Sequence, residues 1–145
     1  MLYNRELLQD SRKLHYLIIE RWSGIEARAD YFSQAKALRR HMDALEYIEE
    51  AFRKNKVGMA HHLAGNAGTV VLAVLDSQEE LGAFIKANPA NARMRPDDRT
   101  VMPMGGWDHG REAFVQLIRN VERLAAEEEE AEREGKVRPF AEQRV

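Results

Sequence analysis

The stretch His61–Pro89, HHLAGNAGTVVLAVLDSQEELGAFIKANP, decides how this chain folds. Its GNAG segment, residues 65–68, reads as a tight turn, because Gly65 and Gly68 take the positive φ angles that hairpin turns use. The turn joins VGMAHHLA to TVVLAVLD, two arms of an antiparallel hairpin. Ser77 followed by Glu80 then matches a capping box, in which hydroxyl and carboxylate satisfy the free amides of a helix start. The helix QEELGAFIKA turns Leu81, Phe84 and Ile85 inward and stops at Asn88, which Pro89 drives out of helical geometry.

Working outward, KLHYLIIERW before this stretch is rich in β-branched and aromatic residues and reads as a strand. After Gly24, the residues Ile25, Ala29, Phe32, Ala35, Leu38, Met42, Leu45, Ile48 and Phe52 recur at three and four, the stripe of one long helix to about Lys54. His41 falls beside that stripe, at a lateral, exposed position. Beyond Pro89, NPANARMRPDD is a loop and RTVMPMGGW a last strand. Pro103 lacks a ladder donor and so places that strand at an edge or a bulge. A further helix begins near Asp108, with Phe114, Leu117, Ile118, Val121 and Leu124 on one face. AAEEEEAEREGK then loses the stripe, and Pro139 ends any helix. Residues 1–126 thus read as one α+β domain and residues 127–145 as a charged tail or helix extension.

The order strand, helix, strand, strand, helix, strand is the ferredoxin-like βαββαβ arrangement, an antiparallel sheet with an added C-terminal helix. An antiparallel sheet with one wet face alternates apolar and polar residues. TVVLAVL and LII are apolar at consecutive positions, so both faces of the sheet need cover. Two coverings are open. One is a second copy of the sheet, related by two-fold symmetry and forming a dimeric α+β barrel; the other is the C-terminal helix folded back.

Across HHLAGNAGTVVLAVLDSQEELGAFIKANP the chain resembles the dimeric α+β barrel superfamily, nearest to muconolactone isomerase and its relatives and next to YCII-like proteins. The shared features are a strand bearing His-Leu, a glycine turn, an apolar strand, a D-S-x-E-E-L helix start and a closing proline. Where YCII-like proteins carry Asp-Pro, this chain has Asn88-Pro89. The resemblance implies a homodimer or higher homo-oligomer. It also implies a small cyclic or aromatic ligand held between sheet and helices, and isomerase or cofactor-independent oxygenase chemistry without cofactor or metal.

Composition narrows the classes further. The chain has 145 residues, a formal net charge of -2 and no cysteine. Thiol nucleophiles and disulfides are therefore excluded, and no concentrated basic face suits nucleic acid. Arg39 and Arg40 sit among Asp43, Glu46, Glu49 and Glu50, as on a solvated helix face. No apolar run reaches a membrane span, and MLYNRELLQDSRK is too charged for a secretory signal, so a cytoplasmic location is expected. Phosphate-binding glycine loops, G-x-S-x-G elbows and H-E-x-x-H helices are missing.

Candidate site residues follow from strand alternation. Tyr16, Ile18, Glu20 and Trp22 share one face of the first strand, a mixture of hydroxyl, carboxylate and indole suited to a ligand pocket. Glu20 is a candidate general base if an apolar wall raises its pKa; otherwise Glu20 and Arg21 end the strand in water. His61 and His62 are candidate proton carriers pointing to opposite faces, so one at most enters a given pocket. In GGWDHG, residues 105–110, Trp107 and His109 offer a pocket rim, or else Asp108 caps the helix and His109 begins it. A binding or assembly protein without catalysis, using the same barrel, is the competing reading.

Overall fold

The computed structural model describes residues 1–22 and 30–135, apart from the side chains of Asn66, Ala92 and Arg93. In chain order the elements are β1 (Leu2–Tyr3), α1 (Arg5–Leu8), β2 (Leu14–Arg21), α2 (Tyr31–Arg53), β3 (Val57–His62), β4 (Gly68–Leu75), α3 (Gln78–Lys86), β5 (Arg99–Met104) and α4 (Trp107–Arg133). Short 3-10 turns occupy Ala64–Asn66, Pro89–Arg93 and Pro96–Asp98. Two compact units result, Met1–Met104 and Gly105–Val145.

The first unit is α+β. Its five strands form one sheet in the order β1-β3-β4-β2-β5, and every pairing is antiparallel. The path through β2, α2, β3, β4, α3 and β5 follows the expected βαββαβ order and is compatible with a ferredoxin-like arrangement. The N-terminal residues add β1 to the free edge of β3, an element the sequence did not announce. At the other edge, among the described residues, β5 pairs only with β2, and Pro103 lies opposite Tyr16 there. An edge strand is where a residue without an N–H is tolerated.

The hairpin forms much as its glycines dictate. Gly65 has φ 71° and Gly68 has φ 152°. The first arm is shorter than the sequence suggested, ending at His62, because Leu63 leaves the ladder into the 3-10 turn. β3 carries a bulge between Val57 and Met59. Gly58 occupies it because a Cβ there would lie 2.5 Å from Leu8 Cδ2, so the missing side chain lets α1 settle on the sheet.

One face of the sheet packs on α2 and α3. Tyr16, Ile18, Val71, Ala73, Ala60, Val57 and Leu75 form the core with Ile48 and Ala51, while Leu81, Phe84 and Ile85 of α3 close over it as expected. Ser77 caps α3 by accepting from Glu80 N–H at 3.1 Å. The reciprocal bond differs from a strict capping box: the Glu80 carboxylate accepts from Asp76 N–H at 2.7 Å and also holds Lys56. Asn88 is extended, with ψ 123°, as the following proline requires.

The inward stripe of α2 holds at Ile48 and Phe52, which pack on the core, and departs from expectation elsewhere. His41, Ala44 and Ala51 also turn toward the sheet, whereas Phe32, Leu38 and Met42 are exposed. Two alanines at the contact let the helix axis approach closely, and the helix rolls so that the bulkier residues of its first half point away. Ile25 and Ala29 lie outside the described residues.

The opposite face of the sheet carries Leu17 and Ile19 of β2, Val70 and Leu72 of β4, Met59 of β3, and Met102 and Met104 of β5, as the register requires. Leu17, Ile19, Val70, Leu72 and Met59 are half-buried; the two β5 methionines are exposed. Near Gly58, Leu8 lies beside Val74, which is fully buried.

The second unit is dominated by α4. It begins at Trp107, one residue earlier than Asp108, and Gly106 occupies the N-cap position with no side-chain bond. Asp108 and His109 are therefore first-turn residues, not cap and start. The helix runs on through the glutamate-rich segment to Arg133. Pro139 lies outside the described residues. No helix among the described residues is long and apolar enough to cross a membrane.

Candidate functional site

Alternation along β2 delivers Tyr16, Ile18 and Glu20 to the helix-covered face, where all three are buried. Of the two readings of Glu20, the exposed strand end is set aside: Glu20 is 4% exposed, and only Arg21 faces solvent. The cross-strand register then sets Glu20 on one rung with Thr69 of β4 and Arg99 of β5, and Thr69 opposite His62 of β3. Four polar side chains thus share a single rung running across four strands on the covered face. His62, the exposed member, stands two strand spacings, roughly 10 Å, from Glu20. His61, opposite Val70, belongs to the other face, is exposed, and lies with its Nδ1 3.0 Å from His62 O.

The loop after α3 supplies the partners of the carboxylate. Asn88 Nδ2 donates to Glu20 Oε1 at 3.1 Å, and Arg99 Nη2 lies 3.6 Å from Oε2. Asn88 is itself buried, and its Oδ1 accepts from Ala90 N–H at 2.9 Å, so a cap fixes its amide. Asn91 ties the loop back by donating to Lys86 O at 3.1 Å and to Ile85 O, while its Oδ1 accepts from Arg99. Pro89 and these caps together hold Asn88 against Glu20.

Burial pushes the Glu20 carboxyl above its ordinary range, because few water dipoles remain to stabilise the anion. The Arg99 charge and the bonds from Arg99 and Asn88 oppose that rise without cancelling it. Tyr47 of α2 is raised as well, first by burial and then by the negative charge of Glu20. Its hydroxyl donates to Phe84 O at 2.6 Å. A buried carboxyl poised upward, beside one cation and an amide donor, can hold or release a proton nearer neutrality than a surface glutamate.

Trp22 follows Glu20 by two residues. Its backbone N–H donates to Ala67 O at 2.7 Å, and its ring stacks on His41, with centroids 4.4 Å apart and planes 16° from parallel. His41 is thus half-buried against an indole, not lateral and exposed as expected, and burial lowers its pKa. Among the described residues, three buried polar atoms in this neighbourhood have no hydrogen-bond partner: Trp22 Nε1, Thr69 Oγ1 and Arg99 Nε. Thr69 is 3% exposed, so bulk water does not satisfy it.

Of the residues picked from sequence, the structure brings Tyr16, Glu20, Trp22 and, at its open end, His62 to one face. Trp107 and His109 belong to the second unit as exposed residues of the first turn of α4. Asn88, Arg99, Thr69, Tyr47 and His41 were not picked as site residues. Asn88 had a signal in its proline, but Thr69 and Arg99 become neighbours of Glu20 only through strand register. Among the described residues no group of three or more histidine, aspartate or glutamate side chains is placed to hold a metal ion. No family model matches the chain, and no curated protein matches it.

Proposed function

We propose that this chain binds a small cyclic or aromatic compound bearing oxygen between its sheet and α2, and moves a proton on it with Glu20. The carrying observation is the set of unpartnered buried atoms, Trp22 Nε1, Thr69 Oγ1 and Arg99 Nε, around a carboxyl with raised pKa. An unsatisfied buried donor costs about 1–3 kcal/mol, which an incoming oxygen acceptor would recover. Two N–H donors and a hydroxyl suit a carbonyl, carboxylate or enolate, and the stacked Trp22–His41 pair offers a flat apolar wall.

In the proposed step the Glu20 carboxylate takes a proton from a carbon lying between a carbonyl and a C=C bond of the ring. The C–H electron pair becomes the first C=C bond of a conjugated dienolate, whose oxygen charge rests against the Arg99 and Trp22 donors. Glu20 then returns the proton to the far carbon of the original C=C bond while the carbonyl re-forms, so the double bond shifts by one position with no net oxidation. The resemblance to muconolactone isomerase relatives and other dimeric α+β barrels supports this class. In the same reading two copies pair through the face bearing Leu17, Leu72 and Met102, giving that hydrocarbon a dry partner.

Cyclic ketones, lactones and hydroxybenzoates serve as probes. At least one is expected to raise the melting temperature of the wild type but not of Thr69→Val, and solvent deuterium enters it by a route lost in Glu20→Gln. If no probe stabilises the chain, or if exchange survives in Glu20→Gln, the proposal fails. For the pairing, Leu72→Glu, compared in a Leu117→Glu background so that α4 contributes no association, is expected to raise the concentration needed for self-association at least tenfold by sedimentation; an unchanged profile overturns it. The second reading, a non-catalytic binding or assembly protein, is favoured by the exposed apolar stripe of α4. Probe binding without Glu20-dependent exchange would select it.

A further inference from the structure

The apolar residues of α4 follow a seven-residue repeat. Trp107, Phe114, Val121 and Glu128 fall at one position, and Gly110, Leu117, Leu124 and Ala131 at the other of the two that face a partner in a coiled coil. Trp107 is 83% exposed, and Phe114, Leu117, Ile118, Val121 and Leu124 are exposed along the same side. A helix with such a stripe gains most of its stability from a partner surface, not from propensity.

We infer that this stripe pairs with the α4 stripe of a second copy, and that the two helices run antiparallel. Centring the pair at Arg119 matches each apolar layer: Phe114 meets Leu124 of the other copy, Leu117 meets Val121, and Trp107 covers Ala131. Glu128 then falls opposite Gly110, the one layer with no side chain to crowd it, at the level of Arg111. A parallel pair fares worse at two layers and along one flank. It sets Glu128 against Glu128 inside the seam, leaves a void at the facing glycines, and lays the run Glu127–Glu130 along its own duplicate. Antiparallel packing instead lays that acidic run beside the partner's first turns, where Asp108 and Glu112 accompany Arg111 but where the positive end of the helix dipole lies. The two-fold axis crosses the helix near Arg119, so the surface is complementary to itself and closes as a pair.

Because the natural chain has no cysteine, disulfides can report the direction of pairing. Full-length Trp107→Cys and Ala131→Cys chains are oxidised separately and as a mixture. A covalent dimer is expected only in the mixture, since antiparallel packing brings residue 107 of one copy to residue 131 of the other. Adding Leu117→Glu to both chains is expected to abolish that dimer, because Leu117 sits in a central layer. A dimer from Trp107→Cys alone would show parallel packing and overturn the inference. So would failure of the mixture to crosslink, or crosslinking that survives Leu117→Glu.

Discussion

Gly68 abuts the backbone of Glu20 so closely that a Cβ built on it would lie 1.8 Å from the Glu20 carbonyl oxygen. The candidate base is thus held from behind by a residue that must have no side chain, and Gly68 also adopts φ 152°. Gly68→Ala is expected to destabilise the chain by about 2 kcal/mol or more, combining backbone strain with a clash against main chain that cannot swing aside. Gly65, with φ 71°, has open space around it, so Gly65→Ala should cost only about 1–2 kcal/mol. Urea denaturation of both variants checks the order; equal losses would show that the Glu20 contact is not limiting.

The proton affinity of Glu20 should be visible in stability. Burial raises its pKa above the ordinary 4.5, so the folded chain holds this proton more tightly than the unfolded chain. That contribution is complete below 4.5 and is lost as pH rises through the raised folded value. Relative to Glu20→Gln, which does not titrate, the wild type should be most favoured near pH 4 and lose ground toward neutrality. A stability difference flat in pH would contradict the raised pKa.

Asn88 tests how the loop supports the carboxylate. Its amide donates to Glu20 and its carbonyl oxygen caps Ala90, both from a buried position. A hydrogen bond to a charged group contributes about 1.5–3 kcal/mol, so Asn88→Ala should destabilise by that order at neutral pH. The Glu20 pKa should rise further, since the lost bond was one that lowered it. A loss under about 0.5 kcal/mol would mean that water takes over the amide's role.

These residues also mark what the sequence made legible. Alternation in LHYLIIER was enough to put Tyr16, Ile18 and Glu20 together, because period two is a local property of a strand. Glycine and proline chemistry likewise located the hairpin, the end of α3 and the edge strand. The neighbours of Glu20 were not legible, since Thr69 and Arg99 reach it through register between strands distant in sequence. The roll of α2 was hidden for a related reason. Phe32, Leu38 and Met42 have the right spacing for a core stripe, yet the sheet selects the smaller surface of Ala44 and Ala51. Hydrophobic spacing reports that a helix is amphipathic; the shape of its partner decides which apolar side goes in.

The Trp22–His41 stack gives a direct optical readout of this part of the fold. The chain has two tryptophans, so Trp107→Phe leaves Trp22 as the sole indole. Burial lowers the His41 pKa below the ordinary 6.5, because fewer water dipoles remain to stabilise the imidazolium. The neutral ring therefore contributes stability that is present above 6.5 and is lost as pH falls through the lowered folded value. In the Trp107→Phe background, Trp22 fluorescence should quench on acidification with a midpoint below 6.5, as the imidazolium forms against the indole. His41→Gln should remove the transition while leaving the emission of a buried indole. A midpoint at or above 6.5, or a transition that persists in His41→Gln, would mean that His41 is not packed on Trp22 in solution.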